Sequence, residues 1–413
     1  METLKEDMRQ VLEENILRYW LTQMVDREHG GFYGRRDACD RLWPDAPKAA
    51  VLNARILWAF AAAYRVLGRE EYRLAALRAK NYILDHFIDR QEGGVYWMLD
   101  SEGRPLDTKK QTYAIGFTIY GLSELYRATG DEQALQEALR LYHDVERHAY
   151  DPVSGGYIEA LTRQWKPIGD MRLSEKDENG SRTMNTHLHI LEPYTNLLRC
   201  LSGAGQGRTA IGTEEDARRL RASLRNLISI FTTRIQNPEN GHLDLFFDDQ
   251  WRGRRDIVSY GHDIEAAWLL TEALEVLGDE GLTRQTMPLV RRLALAAEEG
   301  LQPSGALLDE RRKGEDGAAE DAMFVWWVQC ECIIGLVDQW QHFGDAEALE
   351  RAHRCWTFTR EHLIDWEHGE WYWSAKADGT RNLEDDKAGP WKCPYHNTRL
   401  CLEVIERAQR ERA

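Results

Sequence analysis

Cysteine is scarce in this 413-residue chain, positive charge is in deficit, and no eighteen-residue stretch reads as apolar enough to span a bilayer. Each shortage excludes something. The seven cysteines, at 39, 200, 330, 332, 355, 393 and 401, are odd in number and form no CxxC pair and no Cys/His zinc spacing. Neither a disulfide framework nor a zinc site is expected, and the thiols read as reduced and mostly buried. Lys and Arg number 53 against 69 Asp and Glu, a formal net charge of -16. Such a surface repels a nucleic-acid backbone or an anionic membrane at long range, which leaves a neutral or cationic small molecule as the expected partner. The opening METLKEDMRQVLEEN is polar and acidic with no apolar run behind it, so no signal peptide is expected and a cytoplasmic location is the default.

What is present is a repeat. With 43% hydrophobic and 10% aromatic residues the chain can bury a large core. A glycine followed by an aromatic or apolar cluster recurs as GGFYG, GGVYW, GGYIE, GHLDL, SGALL and GEWYW. Gly31, Gly94, Gly156, Gly241, Gly305 and Gly369 stand 63, 62, 85, 64 and 64 residues apart, so six units fill the sequence. Between them lie paired helix-period patterns at 2–24 and 48–67, 70–89 and 110–128, 131–150 and 182–201, 213–236 and 259–277, 280–300 and 320–342, 345–364 and 393–411. The second pattern of a pair can be far less charged: QTYAIGFTIYGLSELYRA carries two charged residues, DEQALQEALRLYHDVERHAY seven. A helix apolar nearly all round is buried, so these patterns predict an inner ring of six helices inside an outer ring of six. The expected fold is an all-α (α/α)6 barrel in one domain, 1–413, with the glycine/aromatic segments as short strand turns at one end. The single long gap holds two loop-like stretches, LTRQWKPIGDMRLSEKDENGSRT, read as a lid, and SGAGQGRTAIGTEE.

Against this apolar background certain polar and aromatic residues are out of place, and they fall near the starts of the inner helices. They are Arg55, Tyr113, Asn185, His189, His262, Glu265, Trp327, Glu331 and His396. His189 and Glu192, like His262 and Glu265, are three residues apart and share a helix face. Parallel inner helices would gather these side chains around one mouth, the default place for a binding site. Burial near a helix N-terminus disfavours an imidazolium, so these histidines are expected to be neutral and able to accept protons. Two of them on opposite sides of a substrate could take a proton from one face of a carbon and return one to the other. Arg55, Asn185 and Tyr113 could stabilise the oxyanion formed beside a carbonyl, and Trp327 and Trp391 suit the apolar face of a sugar ring. His187, two residues from His189, points away and reads as structural. A metal site of the His/Glu kind is disfavoured by the cationic Arg55. The residues alone leave open an epimerase, an aldose/ketose isomerase, a glycoside hydrolase, which needs two flanking carboxylates, and a non-catalytic sugar-binding protein.

Six segments in order, LNARILWAF, KKQTYAIGFTIYGLSE, SRTMNTHLHILEPYTNL, SYGHDIEAAWLL, WWVQCECIIGL and WKCPYHNTRLCLEVIE, make the chain resemble the cellobiose 2-epimerases of the N-acylglucosamine 2-epimerase superfamily. The resemblance implies an (α/α)6 barrel that interconverts glucose and mannose at the reducing end of β-1,4-linked disaccharides without a cofactor or metal. It also implies that His262 and His396 exchange the C2 proton, while His189 supports ring opening and the enediolate. Arg55, Tyr113, Asn185 and Glu265 would hold hydroxyls, Trp327 and Trp391 would stack on rings, and Asp177 would reach in from the lid. The sequence departs from the family at Ile115, where Gln is common in Tyr-x-Gln-Ala-Phe, and at Phe324, where a basic residue often stands. These departures leave a mannose/glucose 2-epimerase or an isomerase as the alternatives.

Overall fold

Three inner-to-outer transitions share a Gly-Asp pair: Gly130-Asp131, Gly278-Asp279 and Gly344-Asp345. Each glycine closes an inner helix at positive φ (74°, 63° and 69°), a conformation that costs glycine nothing. Each aspartate then caps the following outer helix by accepting a backbone N–H three residues on. Two residues thus stop one helix and start its antiparallel neighbour.

The computed structural model describes the chain apart from residues 176, 203–210, 254–256, 313–321 and 411–413. Among the described residues twelve helical rods alternate between two rings. The outer rods are α1 (Glu2–Gln10, continued by Val11–Leu17 and Arg18–Gln23), α3 (Glu70–Tyr82), α5 (Glu132–His148), α7 (Glu214–Ile230), α9 (Glu280–Ala297) and α11 (Ala346–His362). The inner rods are α2 (Ala50–Leu67), α4 (Thr112–Thr129), α6 (Met184–Ser202), α8 (Tyr260–Leu277), α10 (Trp326–Phe343) and α12 (His396–Arg410). Each inner helix packs on the next, and α12 returns to α2, so the inner ring is closed. This is the expected (α/α)6 barrel. The pairing is shifted by one element from that read in the sequence: each inner helix packs chiefly on the outer helix that follows it, and α1 lies against α12. The Gly-Asp turn joins partners tightly, whereas the chain from an outer helix to the next inner one detours through the glycine/aromatic turn.

The sixfold repeat reappears in the backbone pairing. Antiparallel bridges Val25–Phe32, Ile88–Val95, Tyr150–Tyr157, Gln236–Leu243, Leu301–Leu307 and Ile364–Trp371 close the six glycine turns. Short strands entering five inner helices each pair with the strand after the next turn, for example Lys110–Gln111 with Ala160–Leu161 and Arg182–Thr183 with Phe246–Phe247. A bridge between Arg36 and Ala388 joins the first unit to the last. In four units an aspartate at the turn is paired with the cation at the end of this connection: Asp26 with Lys48, Asp89 with Lys110, Asp151 with Arg182 and Asp365 with Lys387, at 2.6–2.9 Å. These pairs fix where the inner helices begin, and hence the mouth.

One inner helix corrects an expectation. Ala50–Leu67 is 18 residues long with a hydropathy of 1.3, enough to cross a bilayer by length and composition, yet 78% of it is buried inside the barrel. Its apolar all-round surface reflects contact with helices on every side.

Close helix approach also shapes the site. A Cβ on Gly116 of α4 would stand 2.4 Å from the carbonyl oxygen of His189 on α6. Overpacking of this kind costs about 1–3 kcal/mol, more than the roughly 1 kcal/mol that alanine gains in helix propensity. Gly116→Ala is therefore expected to lower the urea midpoint without changing the slope of the transition.

Candidate active site

The inner helices bring their first two turns to a common mouth. Tyr113, Asn185 and Trp327 are the second residues of α4, α6 and α10, His262 is the third of α8, and His396 begins α12. Arg55, His189, Glu265 and Glu331 are each the sixth residue of their helix. Six parallel helices in a closed ring make sequence-distant positions equivalent, which is why one mouth collects them.

His262 and His396 flank the same indole. Their ring centroids lie 4.7 and 5.6 Å from that of Trp327. Burial, and secondarily the charge of His189, depresses the His262 pKa to about 3; burial with Arg55 and Arg399 depresses that of His396 well below the usual imidazole value. Both rings are therefore uncharged at neutral pH, as the sequence predicts, with desolvation as the main cause. One nitrogen of each is occupied. The Nδ1 of His396 is 2.7 Å from Glu331 Oε1, and the Nδ1 of His262 is 2.8 Å from Ser259 Oγ. Nε2 is the nitrogen left for chemistry in both.

Beneath the histidines sits a cation that the sequence reading passes over. Arg399, fully buried on α12, donates to Glu192, to Glu265 Oε1 at 2.5 Å and to Glu331 Oε1 at 2.7 Å. Glu192 in turn meets His189 Nδ1 at 3.0 Å and accepts from the Tyr395 hydroxyl, and Glu331 accepts from Trp268 Nε1 at 3.0 Å. One guanidinium thus ties together the carboxylates that orient two of the three histidines. It cannot neutralise three anions. Against burial, Arg399 and His189 hold Glu192 down at about 2, whereas burial and the neighbouring Glu331 raise Glu265 to about 7; burial raises Glu331 as well, with Arg399 and Trp268 opposing it. Glu265, Glu331 and His396 have donor types and spacing that could ligate a metal, but the Arg399 guanidinium already bonds both carboxylates.

The two His-x-x-Glu motifs behave differently: His189 bonds its own Glu192, whereas Glu265 turns from His262 to Arg399 and lies 4.0 Å from His189 Nε2. The signal for Arg399 was the same spacing once more, because it follows His396 by three in HNTR. Ser259 gave no signal beyond adjoining the helix start.

The remaining predicted residues fall into place around these. Arg55 donates to the Tyr113 hydroxyl at 2.7 Å and lies over the rings of Phe117 and Tyr395 at 4.2 and 4.9 Å. Tyr113 packs edge-on to Trp391 at 6.0 Å and to His189 at 5.1 Å. Asn185, Asp177 and His262 line one cavity together with Arg172 and Leu173 of the proposed lid, and Gln111 Nε2 tethers that loop through the Met171 and Arg172 carbonyls, 3.1 Å each. Glu159, the last residue of GGYIE, also faces this cavity; burial lifts its pKa to about 7 despite hydrogen bonds from Thr183 and Thr186. Four buried side-chain atoms of these residues have no hydrogen-bond partner: Arg55 Nε, Asn185 Oδ1, Glu265 Oε2 and Arg399 Nε. His187 is structural, as expected, its Nε2 accepting from the Tyr157 N–H at 3.0 Å and its Nδ1 2.7 Å from the Thr183 carbonyl. Ile115 and Phe324 are fully buried. The stretch SGAGQGRTAIGTEE falls mostly outside the described residues.

With the geometry in place, comparison with known proteins gives concordant results. The sequence model for N-acylglucosamine 2-epimerase (GlcNAc 2-epimerase) matches residues 31–193 and 210–399. The chain is 53% identical over 404 residues to a cellobiose 2-epimerase of Bacteroides fragilis, covering 98% of this chain and 99% of that one. It is 41% identical to a cellobiose 2-epimerase of Ruminococcus albus, covering 97% and 98%. The solved cellobiose 2-epimerase of Bacillus thermoamylovorans B4167 superposes with a TM-score of 0.90 at 38% identity, covering 98% of this chain and 100% of that one.

Proposed function

The chain belongs to the N-acylglucosamine 2-epimerase family, and on that premise we propose that it inverts C2 of the reducing-end aldose of β-1,4-linked disaccharides such as cellobiose and lactose, with no cofactor. The observation that carries the proposal is the pair of uncharged imidazoles, His262 and His396, set against one indole, each with a single nitrogen free.

The chemistry follows from these residues. The reducing-end ring opens by proton transfer from the O1 hydroxyl to the ring oxygen, a step assigned to His189 held by Glu192. C2 of the aldehyde is then acidic, because its conjugate base delocalises onto O1. An imidazole Nε2 takes the C2 proton; the electron pair moves into a C1–C2 double bond, and O1 becomes the oxyanion of a cis-enediolate. Arg55, backed by Tyr113, is the nearby cation for that charge, and a fixed charge in a dry site is worth more than in water. Rotation about C2–C3 presents the other face of C2 to the second imidazole; the enediolate charge draws a solvent proton onto that ring, and the imidazolium gives its Nε2 proton to C2 as the carbonyl re-forms and ends neutral, while the first imidazole sheds the abstracted proton to solvent. The two histidines differ in their partners. In its ionised form, which Arg399 and Trp268 favour against burial, Glu331 can only accept, which keeps a proton on His396 Nδ1 and leaves Nε2 bare as a base. The Ser259 hydroxyl can donate or accept, so His262 can present Nε2 bare or protonated. Reversal of the reaction exchanges their roles. Trp391 and Trp327 offer faces for the sugar rings, and Asp177, Asn185 and Glu265 offer hydroxyl partners.

The pH dependence is specific. A histidine of ordinary pKa would protonate through about 6.5. Here both folded-state values lie below that, so neither of these two imidazoles is expected to cause a fall in kcat/KM near 6.5. Inflections near pH 7 are expected instead from Glu265 and Glu159, and Glu265→Gln should remove only the first of them. The profile, measured with cellobiose on both proteins, checks this.

Product analysis tests the reaction itself. Cellobiose should yield the mannose-ended epimer, and lactose likewise. A ketose product would assign an aldose/ketose isomerase, conversion of free mannose and glucose alone would assign a monosaccharide 2-epimerase, and released glucose would assign hydrolysis.

A further inference from the structure

Gln111 directly precedes α4, and its side chain reaches back to the loop ahead of α6. It is fully buried. Its Nε2 donates to the Met171 and Arg172 carbonyls at 3.1 Å each, while Oε1 has no partner among the described residues. A buried amide with an unpaired oxygen costs stability that an apolar side chain of the same length would avoid. What the amide contributes at this position is the pair of bonds to the loop.

The frame behind Gln111 is fixed on three sides. Gln111 pairs with Ala160 in a short antiparallel ladder, the adjacent Lys110 is buried in an ion pair with Asp89 at 2.9 Å, and the Thr112 N–H that opens α4 donates to the Glu159 carbonyl at 3.1 Å. The same ladder holds the far end of the loop. The Glu159 N–H donates to the Ser181 carbonyl at 3.1 Å, and the Glu159 carboxyl accepts from Thr183 and Thr186 at 2.8 and 2.6 Å. Between these anchors the loop is braced on itself: Asn179 accepts from the Met171 N–H at 3.0 Å and donates to the Gly169 carbonyl at 2.8 Å, and Asp177 accepts from the Ser174 N–H at 2.9 Å. This braced piece brings Arg172, Leu173 and Asp177 to the cavity that holds Asn185 and His262. A tether on Met171 and Arg172 therefore sets where Asp177 stands over the mouth.

We propose that Gln111 is a positioning residue for the sugar: by holding the Met171 and Arg172 carbonyls it keeps Asp177 within reach of a substrate hydroxyl. The proposal rests on the reading of Asp177 as a substrate partner given above. Gln111→Met keeps the length of the side chain and removes both donors. It should raise KM for cellobiose about tenfold, the effect of one net hydrogen bond, and leave kcat within about twofold, because the imidazoles stand on α8 and α12. On an Asp177→Ala background the same substitution should add less than about a twofold rise, since the residue acts through Asp177. Asn179→Ala, an exposed change that cuts the internal brace, should raise KM in the same way and serves if Gln111→Met does not fold. Hydrogen exchange reads the tether without any turnover: in Gln111→Met the Met171 and Ser174 amides should exchange about tenfold faster while those of α4 keep the parental rate. Unchanged exchange at Met171 and Ser174 overturns the proposal, as does a KM rise that persists in full without Asp177 or a loss confined to kcat. A parent protein that does not turn over cellobiose would instead overturn the reaction proposed above, and the exchange rates would still decide whether Gln111 holds the loop.

Discussion

His262→Asn and His396→Asn should each lower kcat for cellobiose by at least about 100-fold, the lower range for loss of a general acid or base. Asparagine keeps a polar group near the Nδ1 position, so contacts with Ser259 and Glu331 can persist, while the reacting Nε2 is gone. The two losses should not add. If the residues act in sequence on one proton exchange, either deletion blocks the same turnover and the double variant falls little below the weaker single one. Substrate binding should be largely retained, because the groups proposed to hold the sugar are the aromatic faces and Arg55. Each variant should also unfold close to the parent, since a buried neutral imidazole contributes its packing and one hydrogen bond. A variant of either histidine that turns over at the parental rate removes that residue from the scheme.

Arg399→Met should have the largest effect on stability. The substitution leaves Glu192, Glu265 and Glu331 buried without their shared cation, and breaking a buried ion pair by removing one partner typically costs about 3–5 kcal/mol. The loss should depend on pH. Without Arg399 the folded-state pKa values of these carboxyls rise, Glu192 from below its unfolded value and Glu265 and Glu331 from above theirs, so the folded protein binds more protons than the unfolded chain across that range. Stability of the variant therefore falls as pH rises, and the deficit against the parent should be greater at pH 8 than at pH 5.5. Adding Glu265→Gln should recover part of it by removing one stranded charge. Denaturant titrations at the two pH values measure both effects. A deficit independent of pH would mean that Arg399 acts through packing alone.

The barrel was readable because its two physical signatures are local. Glycine turns at near-constant spacing and alternation between charged and apolar helices can both be counted along the chain, and they fix two rings of six. Partner choice was less readable. Sequence order suggests that 2–24 pairs with 48–67, whereas α1 closes against α12 across the whole chain, and no local pattern encodes a ring closure. The Gly-Asp turns did carry the shift by one element. The apolar helix Ala50–Leu67 shows the converse: residues buried by helices on every side look like residues buried by lipid, and only the neighbours distinguish them. In the site, the histidines, Arg55 and the tryptophans were legible as polar or aromatic interruptions of apolar helices. Arg399 was not singled out, because a lone arginine in the first turn of a helix carries no local sign of burial beyond its spacing from His396; its burial comes with three carboxylates that approach from α6, α8 and α10. Ser259 was invisible because a single hydroxyl ahead of a helix is commonplace.

The central claim is that two uncharged imidazoles exchange the proton on C2 of an opened sugar, and isotope exchange tests it directly. Cellobiose incubated with the protein in D2O and followed by NMR should gain deuterium at C2 of the reducing-end residue, in both the glucose- and the mannose-ended forms, while every other carbon keeps its hydrogen. Epimer formed with the original hydrogen retained at C2, or no solvent deuterium at C2 under conditions where sugar is bound, would contradict it.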